Sequence, residues 1–317
     1  MANNNLVAVV GSGLMGTGIS AVFATRHPVL IYDVDPQRIA AARNTLDRTL
    51  DEMLAAGLAR DTKEDLSNRI QFVSSPQDLA PVQFVLEAII EKIEAKQELY
   101  SQLEAIVSDD AILASNTSGF MPSALASQMR RPERFLVAHF WNPPHAIPLV
   151  EVVPNSSTTA ATLTFTTDLL TSVGAQPVVL KREIQGFIGN RLQYAVLREA
   201  LHLVAEGIAS AADVDRLFVS SLGRRYGTVG PIETADLGGL DTFYAIASHL
   251  MPELAKSEDC LELMRAHVER GEVGARSGKG FYEWTAERLK EVVSRRNQDL
   301  LRRHAEETAR IVQTEKQ

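Results

Sequence analysis

Short apolar runs alternate with segments of helical periodicity through the first half of the chain. Runs of this length and composition are typical of buried strands, and apolar residues recurring every three or four positions indicate helices packed on them. Residues 36–68 have that helical pattern, with Gly57 predicted to end the longer helix. The alternation predicts an α/β sheet flanked by helices. The predicted strands are Leu6–Val10, Val29–Tyr32, Ile70–Val73, Val82–Ala88, Ala111–Ala114, 135–138, 149–153 and Pro177–Lys181.

The alternation stops after residue 181, and only helical patterns follow. We therefore place a domain boundary near 183–187, with an α/β domain at 1–185 and an all-α domain at 186–317. The last predicted helix, 286–313, is charged but carries Leu289, Val293 and Leu300. Such positions predict packing against the body of the protein or against a second subunit.

The first predicted strand runs directly into Gly11-Ser-Gly13-Leu-Met-Gly16 and then into a helix, Thr17–Arg26. In a strand–turn–helix of this kind, the first Gly makes the tight turn and the second lets a pyrophosphate approach the backbone. The third lets the helix pack on the strand. The amides at the helix N-terminus then face the phosphates. The motif predicts a dinucleotide site.

Asp33 ends the second predicted strand, about 20 residues beyond the glycines, where the ribose hydroxyls of a dinucleotide are expected. A carboxylate there repels a ribose 2′-phosphate, and Val34-Asp35-Pro36 supply no Arg to clamp one. These residues predict NAD rather than NADP as the cofactor.

Further polar residues stand near the carboxyl ends of predicted strands, where ligands gather on open α/β sheets. Glu91 and Ser118 follow two of these strands, His139 closes the 135–138 run, and Glu151 lies within the next run. A carboxylate beside an imidazole holds the ring in one tautomer and steadies the imidazolium, as an oriented base requires. Taken singly, each residue has an ordinary reading as a loop, cap or buried polar group.

Composition narrows the function classes. With 317 residues and 45% apolar content the chain is long enough for two cored domains, and its net charge of −8 disfavours a general nucleic-acid binder. A single cysteine, Cys260, excludes an intrachain disulfide and fits a reducing compartment. No apolar run approaches a membrane span, and Met1–Asn5 leads straight into a strand, so a cytoplasmic protein is expected. No cluster has metal-ligand spacing, and no metal is expected.

Seven ordered motifs resemble those of the 3-hydroxyacyl-CoA dehydrogenase family over nearly the whole chain. The resemblance implies a Rossmann-type domain, an α-helical C-terminal domain used for homodimerisation, and NAD-linked oxidation of a 3-hydroxyl group. The motifs are Gly11–Gly16 with Asp33, Glu87–Glu91 with Lys96, Ala114–Ser118, His139–Pro143, Leu149–Val152, Gly186–Leu192 and Gly278–Tyr282.

The resemblance also implies roles for individual residues. His139 is the base, Glu151 orients it, Ser118 and Asn190 hydrogen-bond the reacting oxygen, and Asn142 supports the loop. Asn190 also has a reading as a helix N-cap. The implied cofactor-binding residues are Gly11, Gly13, Leu14, Met15, Gly16, Asp33, Glu91, Lys96 and Ser118.

Within the family, Met121–Ser123, Asn142–Glu151 and Gly223–Tyr226 resemble the branch of L-gulonate 3-dehydrogenase and lambda-crystallin. Acyl-CoA members usually carry a Lys two residues before Leu-Val-Glu, where this chain has Ile147. The substrate expectation therefore stays open between a 3-hydroxyacyl-CoA and a free 3-hydroxy acid. In the same branch, a dinucleotide-binding structural protein of the crystallin kind is the alternative from another class.

Overall fold

The computed structural model describes residues 5–256 and 258–314. These residues form two compact units. One contains the chain up to Ile188 together with the C-terminal helix from Val293 onward, and the other is Gly189–Val292. The division after Ile188 lies close to the predicted boundary at 185. The predicted second domain, 186–317, extends further along the chain than the second unit, which ends at Val292. The C-terminal helix belongs to the first unit because it contacts that unit. His304 Nδ1, on this helix, donates to the backbone oxygen of His145 (3.2 Å).

The first unit is built on a sheet that has eight strands among the described residues. Their spatial order is β3-β2-β1-β4-β5-β6-β7-β8, so the chain reverses its direction of travel across the sheet between β3 and β4. Such a reversal leaves a crevice beyond the carboxyl ends of the central strands, where α/β proteins bind ligands. The strands are β1 Val7–Val10, β2 Val29–Tyr32, β3 Ile70–Val73, β4 Phe84–Glu87, β5 Ile112–Ser115, β6 Phe135–Phe140, β7 Leu149–Pro154 and β8 Gln176–Val179.

Strands β1 to β6 run parallel, which confirms the predicted Rossmann-type fold. Strand β7 pairs antiparallel with β6, and β8 runs parallel to β7. Because of the antiparallel pairing, the carboxyl end of β6 lies beside the amino end of β7. Every side chain of β6 is buried, whereas β8 at the edge of the sheet is largely exposed.

Helices cover both faces of the sheet, and the pleat divides the core between them. Along β1, Val7 and Val9 pack into one apolar cluster, while Ala8 and Val10 pack into the other. Burying an aliphatic or Phe side chain contributes about 1.5–3 kcal/mol, so the two layers are the main stabilising contribution of this unit. The helices of this unit are α1 Leu14–Ala24, α2 Pro36–Ala55, α3 Lys63–Asn68, α4 Ile93–Glu104, α5 Pro122–Leu125 and α6 Ala160–Ser172.

The helical segment predicted at 36–68 is divided into α2 and α3. Helix α2 ends at Ala55, and Gly57 follows with a left-handed φ of +72°, which confirms the prediction that this glycine ends the longer helix. Helix α3 begins after Thr62, whose hydroxyl accepts from the Asp65 amide while the Asp65 carboxylate accepts from Thr62. That reciprocal capping box starts a new helix.

The second unit is helical, as predicted. Glu199 Oε2 accepts from the Ala255 amide (2.8 Å), and Tyr282 OH donates to Asp215 Oδ2 (2.6 Å), which ties the turn at 278–284 to the helices. Among the described residues of this unit, Leu201 and Cys260 alone are classed as buried. Its helices are α7 Gly189–Ala205, α8 Ala211–Ser220, α9 Leu222–Tyr226, α10 Pro231–Gly238, α11 Leu240–Leu250, α12 Leu261–Glu269 and the start of α13 Ala286–Thr314.

None of the helices in the described part of the chain is both long enough and apolar enough to cross a membrane.

Candidate active site

The glycine loop joins β1 to α1, and its backbone leaves no room for side chains at two of its positions. Gly11 has φ +106°, and a Cβ there would lie 2.5 Å from the Ala88 oxygen. A Cβ on Gly16 would lie 1.8 Å from the Gly11 oxygen. A Cβ on Gly13, by contrast, would meet nothing within 4 Å. Gly11 and Gly16 are therefore required by the chain itself, whereas Gly13 leaves an open approach to the backbone.

Helix α1 begins at Leu14, directly after Gly13, which supplies no side-chain cap. The amides of a first helical turn have no intrahelical acceptor, and the helix dipole adds partial positive charge there. The backbone amides around Leu14 and Met15 can therefore bind a pyrophosphate, and the residues of the loop fit a dinucleotide.

Asp33 lies at the carboxyl end of β2 and is fixed by the same loop. Its Oδ2 accepts from both the amide and the hydroxyl of Ser12 (2.8 Å each), and its Oδ1 accepts from the Asp35 amide (3.0 Å). Burial alone raises the pKa of this carboxyl, but the hydrogen bonds from Ser12 and Asp35 outweigh it, and the net pKa lies below the ordinary value. Asp33 is therefore an ionised acceptor held against the glycine loop.

A cavity of about 700 Å³ opens beside these residues. Gly13 and Asp33 line one part of it, and Ile89 and Leu99 line another. Arg38 also faces this cavity, with its Nε 3.6 Å from Asp35 Oδ2, so a guanidinium does stand near the ribose-binding position although residues 34–36 contain none. A mixed apolar and charged cavity of this size suits a nucleoside.

Glu87 closes β4 and is the centre of a buried polar cluster. It is 0% exposed and accepts four hydrogen bonds, as an ionised carboxylate can. The donors are the Ile89 amide (2.7 Å), Lys96 Nζ (2.6 Å), Tyr100 OH (2.6 Å) and Ser115 Oγ (2.6 Å). Burial, with the Glu87 charge as the next cause, holds the pKa of Tyr100 well above its usual range, so the phenol stays a neutral donor.

Lys96 links this cluster to the second carboxylate of the motif. Its side chain is 1% exposed, and Nζ lies 3.2 Å from Glu91 Oε2 as well as 2.6 Å from Glu87. Glu91 Oε1 accepts from the Thr117 hydroxyl and from the Ser118 amide (3.2 Å). The structure thus brings Glu91, Lys96 and Ser118 together at the carboxyl ends of β4 and β5. Contact of these three residues with a cofactor stays a prediction.

His139 and Glu151 lie side by side on β6 and β7. Nδ1 of His139 is 3.0 Å from Glu151 Oε2, and both side chains are buried. Because a carboxylate only accepts, the ring nitrogen facing it carries the proton, and the lone pair of neutral His139 belongs to Nε2. The other oxygen of Glu151, Oε1, accepts from the Ile188 amide (2.9 Å). The arrangement can act as an oriented base.

The chain beyond His139 is held by neighbouring elements. Asn116 Oδ1 accepts from the Phe140 amide (2.8 Å), which ties the end of β6 to the loop after β5. Pro144 packs on α1, since a Cβ on Gly18 would lie 2.6 Å from its Cγ. Asn142, between these points, is exposed at the start of the loop, and its predicted support of the loop stays a prediction.

Asn190 belongs to the first turn of α7 in the second unit, and its contact with a reacting oxygen stays a prediction. Within the described ranges, 5–256 and 258–314, no group of three or more His, Cys, Asp or Glu side chains could hold a metal ion.

Four residues hold the carboxylates of the site in roles that the sequence patterns do not assign. Ser12, Tyr100, Ser115 and Thr117 each donate a hydrogen bond to a carboxylate of the site. The spacing of Glu87, Glu91 and Lys96 is visible in the sequence, and Lys96 pairs with both carboxylates. The hydroxyl donors to Glu87 and Glu91 come from α4, from β5 and from the loop after β5.

Two family models cover most of the chain. The NAD binding domain of 3-hydroxyacyl-CoA dehydrogenase matches residues 6–184, and the C-terminal domain of 3-hydroxyacyl-CoA dehydrogenase matches residues 186–284.

Curated relatives include proteins with different substrates. A 5-formyl-3-hydroxy-2-methylpyridine 4-carboxylate 5-dehydrogenase from Mesorhizobium japonicum is 31% identical over 93% of this chain and 96% of its own length. A 3-hydroxybutyryl-CoA dehydrogenase from Mycobacterium tuberculosis is 34% identical over 88% of this chain and 98% of its own. A lambda-crystallin homolog from Bos taurus is 40% identical over 73% of each chain.

Solved structures show the same two kinds of dehydrogenase. A 5-formyl-3-hydroxy-2-methylpyridine 4-carboxylic acid 5-dehydrogenase, described as an NAD⁺-dependent dismutase, matches 95% of this chain and 98% of its own with a TM-score of 0.90 at 31% identity. A 3-hydroxyacyl-CoA dehydrogenase from Archaeoglobus fulgidus matches 94% of this chain and 98% of its own with a TM-score of 0.69 at 33% identity.

Proposed function

The chain belongs to the 3-hydroxyacyl-CoA dehydrogenase family and is an NAD-dependent dehydrogenase acting on CH–OH donors, and we propose that it oxidises the 3-hydroxyl of a small free acid. The observation that carries the chemistry is the 3.0 Å hydrogen bond between His139 Nδ1 and Glu151 Oε2. In the same unit, the glycine loop and Asp33 fit NAD.

His139 takes the hydroxyl proton on Nε2 as the carbinol C–H bond breaks and the C=O bond forms. Glu151 holds the ring in the tautomer that leaves Nε2 basic and offsets the positive charge that the ring gains. NAD bound at the glycine loop supplies the hydride acceptor. We also propose that Ser118 and Asn190 form hydrogen bonds with the reacting oxygen. In comparable sites such hydrogen bonds stabilise the transition state by several kcal/mol.

Two observations support a free acid over a CoA thioester. The relative from Mesorhizobium japonicum acts on a pyridine carboxylate, and the structure of a dehydrogenase for that acid matches this chain with a TM-score of 0.90. The position at which acyl-CoA members usually carry a Lys is Ile147 here, followed by Pro148. Free-acid oxidation of the L-gulonate 3-dehydrogenase kind is one form of this proposal.

A 3-hydroxyacyl-CoA substrate is the second candidate, favoured by the 34% identity to a 3-hydroxybutyryl-CoA dehydrogenase. It would place the protein in fatty acid metabolism. A crystallin-like structural role is the third candidate, because a lambda-crystallin homolog is 40% identical over 73% of this chain.

One substrate panel separates these candidates. NADH absorbance is followed during acetoacetyl-CoA reduction and during oxidation of gulonate, 3-hydroxybutyrate, carnitine and pyridoxine-derived acids. We expect kcat/KM for at least one free acid to exceed that for the CoA ester. A higher kcat/KM with acetoacetyl-CoA would establish the second candidate, and flat absorbance throughout would favour the structural role.

Arg225 is a candidate partner for the carboxylate of a free acid, since a planar guanidinium suits bidentate contact. It lies in α9, where its side chain is exposed, and a surface or interface role is the alternative. If Arg225 binds the substrate, Arg225→Met raises KM for acids but not for neutral analogues. An equal KM change for both kinds of substrate would remove Arg225 from the substrate site.

We further propose a homodimer formed through the helical unit, in the cytoplasm. The support is the exposed apolar surface of this unit, where Ile232, Leu237 and Tyr244 are each at least 75% exposed. Apolar surface of this extent marks an interface in a stable protein. Sedimentation equilibrium tests the dimer, and a monomer at micromolar concentration would contradict it.

A further inference from the structure

The turn between β8 and α7 contains an unusual backbone conformation. Gly186 and Phe187 follow one another with φ of +76° and +53°. Among the described residues, Phe187 is the one non-glycine position with positive φ. This region is disfavoured for a residue with a Cβ and a bulky side chain, and such outliers concentrate at functional sites.

The ring of Phe187 contacts the proposed base. It is 0% exposed and packs in the apolar cluster that also contains Leu125 and Leu180. Its centroid lies 5.7 Å from that of the His139 imidazole, with the two planes tilted by 53°. The ring therefore bounds one side of the space in which the imidazole could rotate.

The left-handed conformation of Phe187 also sets the direction of the next peptide group. The Ile188 amide, which follows it, donates to Glu151 Oε1 at 2.9 Å, while Glu151 Oε2 faces His139. With one oxygen engaged by a backbone amide and the other by the imidazole, the carboxylate is fixed against rotation about its last side-chain bond.

We propose that Phe187 is a positioning residue for the His139–Glu151 pair, acting through its ring on the imidazole and through its left-handed backbone on the carboxylate. This inference rests on the proposed function, in which His139 is the base. A glycine would adopt the turn without strain, but it would remove the ring that bounds the imidazole. Among the described residues, Trp141 would then be the remaining aromatic neighbour of His139. A β-branched residue would resist the turn.

The test uses the full-length protein and separates the two contributions. Phe187→Gly keeps the backbone conformation and removes the ring. Phe187→Val also removes the ring and in addition opposes left-handed φ, so the difference between the two variants measures the backbone contribution. Phe84→Leu is the matched control, since Phe84 is also 0% exposed and packs on Phe23. If Phe187→Val does not fold, a second pair of variants is compared. Asn tolerates the left-handed region, so Phe187→Asn keeps the backbone conformation, and Phe187→Leu serves as its apolar counterpart.

Two measurements are made on each variant. The first is kcat across pH together with the Kd for NAD. We expect kcat to fall roughly 10- to 100-fold in both Phe187→Gly and Phe187→Val, as for a misplaced catalytic group, while the Kd for NAD stays within a few fold. The second is the ¹⁵N NMR spectrum of the His139 ring, assigned with His139→Gln. We expect one tautomer in the wild type and a tautomer mixture in the Phe187 variants.

A kcat equal to that of Phe84→Leu, with a single His139 tautomer retained in Phe187→Gly and Phe187→Val, would overturn the positioning role. Failure of the proposed function has a different signature, namely turnover that survives His139→Ala. The NMR measurement does not depend on turnover, so the tautomer result stands even if the preferred substrate is not among those assayed.

Discussion

His139 and Glu151 are direct cross-strand partners in the antiparallel pair β6–β7. Directly opposed residues of such a pair point to the same face, with Cβ atoms about 4.5–5.5 Å apart. The 3.0 Å hydrogen bond between the side chains therefore follows from backbone register, not from the shape of a flexible loop. Sheet hydrogen bonds on both sides of the pair keep the proposed base and its orienting acid together.

We expect His139→Ala to abolish nearly all turnover, since a positioned base contributes about 10²–10⁴-fold. The Kd for NAD should stay within a few fold, because the glycine loop and Asp33 are untouched. Steady-state kinetics and fluorescence titration with NADH measure the two quantities. Normal turnover in this variant would exclude His139 as the base.

Glu151→Gln keeps the size of the side chain but removes its charge. We expect kcat to fall, by less than in His139→Ala, because the imidazolium formed during turnover loses its stabilising partner. Steady-state kinetics of the two variants measures kcat. An unchanged kcat would show that Glu151 does not act on the base.

Glu87→Gln should destabilise the protein strongly, because it leaves Lys96 buried with less compensating charge. Breaking a buried ion pair costs about 3–5 kcal/mol. Tyr100→Phe is the matched control. It removes one donor to the same carboxylate (2.6 Å) but keeps the ion pair, for an expected loss of about 1 kcal/mol. Urea unfolding measures both variants, and equal losses would contradict a dominant role for the ion pair.

NAD should be preferred over NADP by roughly 100-fold in kcat/KM, because the Asp33 carboxylate would repel the 2′-phosphate of NADP. A close contact between like charges near a protein surface costs about 4 kcal/mol. Asp33 is ionised at any working pH, because its pKa lies below the ordinary value. Asp33→Asn should narrow the preference, and Arg38→Leu should leave NAD preferred. Equal or better efficiency of the wild type with NADP would contradict the role of Asp33.

Stability should fall as the pH drops below about 6.5, in part through His304. Burial lowers the pKa of this residue in the folded state, so the unfolded chain binds the proton more tightly. Stability is then fully present above the unfolded value and is lost as pH falls toward the folded one. Between pH 7.5 and 5.5, His304→Gln should lose less unfolding free energy than the wild type.

The control for this prediction is His249→Gln, which alters an exposed histidine of α11. Urea unfolding of this variant is measured at the same two pH values. If the pH dependence of His304→Gln matches that of the wild type, the burial of His304 does not contribute to acid sensitivity.

The fold and the family could be predicted because they depend on local patterns. Buried strands appear as apolar runs, the glycine loop needs glycine for steric reasons, and seven ordered motifs led to a family that the matching family models confirm. NAD as the cofactor is confirmed by the same family. Gly57 was predicted to end α2 because helix ends have strong local signals.

The remaining features depend on tertiary contacts that have no local signal. The four donors to Glu87 come from the loop after β4, from α4 and from β5. Lys96 belongs to a motif visible in the sequence, but no spacing rule selects Tyr100 or Ser115. The Ile188 amide that reaches Glu151 is 37 residues distant along the chain. The grouping of α13 from Val293 onward with the first unit likewise depends on contacts such as that between His304 and His145.

Pro144 rests against Gly18 so closely that even a methyl group at residue 18 would collide with it. The loop after β6 is thereby packed against α1, the helix whose amino end we propose as the pyrophosphate site. Libraries designed to alter substrate choice by randomising positions 141–148 should keep Pro144 and Gly18 constant. Otherwise, variants that accept a new acid should also bind NAD more weakly.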